Sequence, residues 1–163
     1  MFKKNLEYAF IVIIVLSITV LLKNYYDDYV FKNSPLPDKA RQQIIEKERE
    51  ILSLMKEKYG VSFKVPIIIT DKIESKLYGV TSYDNGDIKI YLNKKIMKES
   101  MEYMVENVIA HEYAHAVMFR YGLHKNKNDA HGDKWQEICQ NLGGKKCQRY
   151  VNNNDVIMGK MPF

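Results

Sequence analysis

Residues 101–122 read MEYMVENVIAHEYAHAVMFRYG, and this stretch decides the fold of the chain. No glycine or proline interrupts it before Gly122, and its apolar residues recur at the spacing that is typical of a helix. The apolar side chains lie on most sides of this helix, which is typical of a buried position. The stretch therefore predicts a buried central helix.

Two histidines and a glutamate lie inside this apolar helix, in the pattern H-E-x-x-H: His111, Glu112 and His115. Residues four apart lie on one face of a helix, so the two histidines can bind one metal ion together. Glu112 can reach a water beside that ion and act as a general base. Because burying these groups without partners would be costly, a metal ion is the expected partner. The pattern indicates a zinc-dependent peptidase.

A third ligand has to come from elsewhere in the chain, because catalytic zinc sites usually take three protein ligands and keep one position open. The favoured candidate is His131, which begins the segment His131-Gly132-Asp133-Lys134-Trp135. Two alternatives stay open. His124 follows His115 in a predicted loop, and Glu137 lies on the next predicted helix.

Several motifs occur together, in a fixed order, between about Lys76 and Gly144. They are two strands, the H-E-x-x-H helix and the H-G-x-x-W segment: 77–80, 88–93, 111–115 and 131–135. This part of the chain resembles the SprT-like family of zincin metalloproteases, which includes the Spartan DNA-repair proteases. The resemblance implies that His111, His115 and His131 bind zinc (Zn²⁺). It also implies that Glu112 is the catalytic base.

The rest of the pattern predicts an α+β, zincin-like domain with a small antiparallel or mixed sheet. Asp38 is predicted to cap an amphipathic helix that ends near Gly60, and a buried strand is predicted within Phe63–Thr70. Asn85-Gly86 lies between two alternating runs and predicts a type I′ hairpin. The predicted order is α-β-β-β-α-loop-α, with the H-E-x-x-H motif in the second of these helices.

The N-terminal segment is almost wholly apolar from Leu6 to Leu22, after a basic start that contains Lys3 and Lys4. A helix rises about 1.5 Å per residue, so these roughly 17 residues just span a hydrocarbon core. No small-x-small cleavage site follows them. Residues 1–32 are therefore predicted to be a transmembrane signal anchor with its juxtamembrane segment, and residues 33–163 a single domain.

The orientation of this anchor is predicted from the charges that flank it. Lys3 and Lys4 form a short basic tail, which favours a cytoplasmic N-terminus and an exported domain. The positive charges after the span are not fewer, so the positive-inside rule by itself leaves both orientations open. We expect a single-pass membrane protein whose catalytic domain is non-cytoplasmic.

The two cysteines, Cys139 and Cys147, are too few for the zinc-binding ribbon found at the C-terminus of the resembling family. Gly143-Gly144 ends the helix that carries Cys139, and the chain reversal there can bring the two sulfurs together. Disulfides persist outside the cytoplasm, so export of the domain would favour a Cys139–Cys147 bond.

The net charge of +5 over 163 residues is mild and scattered. Scattered positive side chains of this kind more often form a solvated surface than a binding surface, so nucleic-acid binding is not favoured. The predicted partners are a protein substrate and the membrane, and no pattern indicates an oligomeric state. The basic residues nearest the predicted site and the C-terminus are Lys125, Lys127, Lys145, Lys146 and Arg149.

Three functions fit these patterns. The favoured one is a membrane-anchored zinc metalloendopeptidase. The second is an SprT-like protease that acts on nucleic-acid-bound proteins from the cytoplasmic side, and the third is a non-catalytic zinc-binding interaction module. The presence of Glu112 argues against the third. A protease also needs an electrophile for the oxyanion, and Tyr121, His124 and Tyr150 are the candidates.

Overall fold

The chain forms two compact units, Met1–Pro35 and Leu36–Phe163. The first unit contains helix α1, Phe2–Asn33, whose apolar side chains are exposed. By length and composition α1 can cross a membrane, and no other helix in the described part of the chain can. The structure is a computed structural model and describes residues 2–74, 76–123 and 130–149, apart from the side chains of Phe2 and Lys32.

The second unit mixes helices with a small sheet. Strand β3 is central, parallel to β1 on one side and antiparallel to β2 on the other, so the sheet is mixed. The α+β class predicted from the sequence is confirmed. The elements are α2 (Asp38–Tyr59), β1 (Ile67–Thr70), β2 (Gly79–Asp84), β3 (Asp87–Asn93), α3 (Lys94–Tyr103), a π-helical segment (Met104–Val108), α4 (Ile109–Arg120) and α5 (Asp133–Asn141).

Strands β2 and β3 form the predicted hairpin. Its two central residues have positive φ angles, 48° at Asn85 and 93° at Gly86. A type I′ turn requires positive φ at both positions, which asparagine tolerates and glycine adopts freely. This tight turn fixes the pairing register of β2. The register places Gly79 and Thr81 on the face of the sheet that meets α4.

Helix α4 lies in the centre of the core, as its apolar surface predicts. Side chains from α2, β3 and α5 surround it, and a hydrophobic cluster of this kind supplies most of the stability of a small domain. The fully buried residues of α4 are Ile109, Ala110, Tyr113, Ala114 and Ala116, and their buried neighbours include Ile51, Ile90, Leu92, Trp135 and Ile138.

A buried polar network fixes α4 against α2 and the segment before β1. The Tyr113 hydroxyl donates to Oε1 of Glu48 over 2.8 Å and accepts from the backbone N–H of Val65 over 3.2 Å. The other oxygen of Glu48 pairs with Lys64 at 2.9 Å. Since Tyr113 directly follows Glu112, this network limits rotation of the helix that carries the candidate base.

Two element boundaries differ from the predictions. Asp38 does not cap α2: Pro37 occupies the cap position without a side-chain hydrogen bond, and Asp38 is the first helical residue. An acidic side chain is still favourable there because it lies in the positive field of the helix N-terminus. The strand predicted within Phe63–Thr70 begins only at Ile67, and its residues are half-buried or exposed, so the prediction of a buried strand was wrong. Pro66, which directly precedes it, has no N–H to donate to a ladder.

The predicted regular helix over residues 101–120 is interrupted. Met104–Val108 form a π-helical turn within this range, and Ser100, just before it, has non-helical angles, φ −152° and ψ 54°. The backbone N–H of Ile109 donates to the carbonyl of Met104, five residues earlier. Such π turns insert one extra residue into a helix, often at functional sites. The regular helix therefore begins at Ile109, two residues before His111.

Candidate active site

Helix α4 and the turn before α5 bring the three predicted histidines together. The Nε2 atoms of His111 and His115 are 3.2 Å apart, and those of His115 and His131 are also 3.2 Å apart. The third distance, between His131 and His111, is 3.3 Å. These three side chains form a group that could hold a metal ion. The predicted cluster is thus present in the structure.

The three contacts between these ring nitrogens cannot all be hydrogen bonds. Each Nε2 atom carries either a hydrogen or a lone pair, so at least two of the three have the same character and cannot bond. A metal ion removes this conflict because it takes a lone pair from every ring. Zinc binds imidazole nitrogen at about 2.0–2.1 Å, and tetrahedral geometry then places two ligand nitrogens about 3.3 Å apart. The residues therefore fit zinc.

Burial keeps the three imidazoles in the neutral form that binds metals. Removal from water, and then the neighbouring His131, lowers the pKa of His111 to about 4. Burial first, and then the two neighbouring imidazoles, lower the pKa of His115 to about 3. Burial and then the charge of Arg149 lower the pKa of His131. A lowered pKa leaves a histidine uncharged near neutral pH, so its lone pair stays available to a metal.

Glu112 is only 4% exposed and faces strand β2. The Thr81 hydroxyl lies 2.7 Å from Oε2 of Glu112 and 2.9 Å from its backbone carbonyl oxygen. Burial raises the pKa of Glu112 to about 7, and hydrogen bonds from the side chain and the backbone of Thr81 oppose this rise. A carboxyl group with a pKa near the working pH is suited to general-base catalysis.

Gly79 leaves the space in which the Glu112 carboxylate lies. A Cβ atom at this position would be 2.8 Å from Oε1 of Glu112 and 2.9 Å from its Cγ atom. These distances are too short for any side chain to fit without moving the glutamate. No pattern in the sequence assigns a site role to Gly79 or Thr81. The one available signal was a glycine within a strand pattern, which can mark a close approach.

Trp135 packs against all three histidines and is 1% exposed. Its ring centroid is 4.6 Å from that of His111, 5.3 Å from that of His115 and 4.7 Å from that of His131. Its Nε1 atom has no hydrogen-bond partner among the described residues. An apolar neighbour of this size keeps water away from the rings and limits their rotation, which would orient them toward a metal.

The other candidate residues are placed differently. Glu137, the alternative ligand on α5, is exposed and pairs with Lys134 at 2.8 Å, so it is not part of the histidine cluster. Of the candidate electrophiles, Tyr121 lies at the end of α4 with 48% of its surface exposed. His124, the other alternative ligand, and Tyr150 lie outside the described residues.

Cys139 and Cys147 form a disulfide that closes the turn after α5. Gly143 ends the helix with a φ of 80°. Gly144 lies against the bond, since a Cβ atom there would be 2.7 Å from each sulfur. The two glycines thus make the chain reversal that the sequence suggested. The disulfide links α5, the helix that carries Trp135, to the segment that follows it.

Comparison with known proteins covers the domain that holds this site. The model of a family described as the SprT-like family matches residues 48–155. Protein SprT of Shigella boydii serotype 18 is 28% identical over 120 residues, which are 72% of this chain and 68% of that protein. No solved structure matches the chain significantly. Helix α1 lies before the residues that match the family model.

Proposed function

Because the chain belongs to the SprT-like family, we propose that it is a membrane-anchored zinc metalloprotease that hydrolyses peptide bonds in protein substrates. Membership of this family supports a zincin-type protease. The observation that carries the finer proposal is the cluster of three imidazole nitrogens, 3.2–3.3 Å apart, with the buried Glu112 on the helix that carries His111 and His115. His111, His115 and His131 would hold the zinc ion.

The proposed reaction assigns a separate task to each side chain. A zinc ion at the three histidines would supply Lewis acidity, which polarises the scissile carbonyl and lowers the pKa of the attacking water. Glu112 would take the proton of that water and pass it to the leaving amine. Its raised pKa, about 7, lets the carboxyl group accept and release a proton near neutral pH. Trp135 would keep the imidazoles oriented.

Strand β2 offers the surface on which a substrate would lie. It is an edge strand of the sheet, and its residue Thr81 contacts Glu112. An extended peptide can add to such an edge through backbone hydrogen bonds, which places its backbone beside the candidate base. Recognition of this kind depends more on backbone than on side chains, so we expect unfolded segments of many sequences to be substrates.

Two features support a position on the outer side of a membrane. Helix α1 is long and apolar enough to cross a bilayer, and its apolar run begins after the basic residues Lys3 and Lys4 at its N-terminal end. The Cys139–Cys147 disulfide favours an oxidising compartment. Of the basic residues considered for nucleic acid, Lys145 pairs with Glu106, and the lysines at 125 and 127 lie outside the described residues.

The proposal is tested with the full chain purified in detergent micelles. We expect it to contain one zinc ion and to cut an unfolded test protein into peptides. A chelator should abolish cleavage, and added zinc should restore it, because the histidines hold the ion reversibly. Gel electrophoresis of the test protein and metal analysis provide the measurements. A zinc-loaded chain that cuts none of several unfolded proteins would favour the non-catalytic module.

A second experiment tests the anchor and its orientation. We expect the full chain to stay with membranes during carbonate extraction, because about 17 apolar residues bury enough surface to make release negligible. A reporter enzyme that works only after export should be active when it is fused to the C-terminus. A reporter that works only in the cytoplasm should be inactive there. Cys139 and Cys147 should react with thiol reagents only after reduction.

Two outcomes would contradict this arrangement. A mature protein that starts near residue 23 would show that the apolar segment is a cleaved signal peptide. Activity of a reporter that works only in the cytoplasm would instead support the second function, a protease that acts on nucleic-acid-bound proteins. The disulfide would then no longer support an exported domain.

A further inference from the structure

We propose that strand β2 positions the Glu112 carboxylate for catalysis. Thr81 is the positioning residue, and Gly79, which has no side chain, leaves room for the carboxylate. This inference rests on the proposed function, because it explains how the same site keeps its base in place. It concerns two residues of β2 that lie against Glu112. Both act through Glu112.

The hydrogen bond from Thr81 fixes one end of the carboxylate. The Thr81 hydroxyl has a single hydrogen and two acceptors within reach, Oε2 of Glu112 at 2.7 Å and the backbone carbonyl oxygen of Glu112 at 2.9 Å. A hydrogen bond to an ionised oxygen is shorter and stronger than one to a neutral oxygen, so the bond to Oε2 dominates when Glu112 is charged. Among the described residues, Thr81 donates a hydrogen bond to this carboxylate.

Gly79 leaves room for the other oxygen of the Glu112 carboxylate because it has no side chain. Residues two apart in a strand point to the same face, so Gly79 and Thr81 both face Glu112. Oε1 of Glu112 lies where a Cβ atom at position 79 would come within 2.8 Å. An alanine there would push the carboxylate away from the strand. The φ of Gly79 is not positive, so the backbone itself accepts alanine and any effect arises from this contact.

The energetic reason is the freedom of the glutamate side chain. Glutamate has several rotatable bonds and loses much rotamer entropy when it is held in one arrangement. A general base must lie within hydrogen-bond reach of the proton that it takes, and a misplacement of about 1 Å can cost about 100-fold in rate. Strand β2 supplies the hydrogen bond and the space that hold the base in one position.

The test uses three variants of the full chain in detergent. Thr81→Val keeps the shape but removes the hydroxyl, Thr81→Ser keeps the hydroxyl, and Gly79→Ala fills the space. We expect Thr81→Val and Gly79→Ala to lower kcat about 10- to 100-fold. KM, zinc content and the unfolding temperature should stay close to wild type. Thr81→Ser should restore most of kcat. Ser82→Ala is the matched control, because Ser82 lies on the same strand but points to the opposite face.

Crystal structures of the zinc-loaded full chain provide a measurement that does not depend on activity. In Thr81→Val and Gly79→Ala we expect the Glu112 carboxylate to move by about 1 Å or to occupy several positions. An unmoved carboxylate, or a wild-type kcat in Thr81→Val, would overturn the inference. So would a loss of kcat that only follows a loss of zinc and of stability, since that marks a structural role.

The failure of the proposed function would look different. If Glu112→Gln were as active as wild type, Glu112 would not be the base, whatever the Thr81 variants do. The position of the carboxylate in the crystals would still decide whether β2 holds it in place.

Discussion

Glu112→Gln is expected to slow hydrolysis of an unfolded test protein by about 10²- to 10⁴-fold while the chain keeps its zinc. The amide is nearly the same size as the carboxylate and can still accept the hydrogen bond of Thr81, which lies 2.7 Å from Oε2. It cannot take a proton from water, so the step assigned to Glu112 is lost. The rate of peptide formation and the zinc content of the same preparation provide the two measurements.

Glu137→Gln is the matched control for this experiment. Glu137 is an exposed carboxylate on α5 that pairs with Lys134 at 2.8 Å, and it lies outside the histidine cluster. Its loss should change neither activity nor zinc content, because an exposed ion pair contributes little to stability. Activity near wild type in Glu112→Gln would remove this residue as the base. Loss of zinc in that variant would instead make Glu112 a ligand.

His131→Ala is expected to lower the affinity for zinc by more than about 100-fold. Removal of a residue that only hydrogen-bonds to a metal ligand already lowers metal affinity about 10- to 100-fold, and loss of a ligand itself should cost more. The Nε2 atom of His131 lies 3.2 Å from that of His115 and 3.3 Å from that of His111, so its loss would leave two of the three proposed ligands. Competition with a chelator of known affinity measures the change, and activity should fall with the zinc content.

The fourth histidine provides the control, since His124→Ala should keep zinc close to the wild-type level. Equal zinc content in wild type and His131→Ala would refute the assignment of His131 as a ligand. A larger loss in His124→Ala than in His131→Ala would move the third ligand to His124.

The sequence alone determined the parts of this protein that depend on short-range patterns. The spacing of His111 and His115 on a helix, the turn at Asn85-Gly86 and the apolar run within α1 all follow from local periodicity or turn chemistry. Each pattern is encoded within a few neighbouring residues, so it can be recognised before the fold is known. His131 was found in a different way, through its motif and the need for a third ligand.

The tertiary structure decided the contacts between residues that are distant in the sequence. It placed Thr81 and Gly79 against Glu112, and it packed Trp135 against the three imidazoles. It also introduced the π-helical turn before Ile109. Glycines and threonines in strands are common, and nothing local shows which of them will face a glutamate on another element. That choice depends on the register of β2 and on how α4 packs against the sheet, both of which are settled only when the whole core forms.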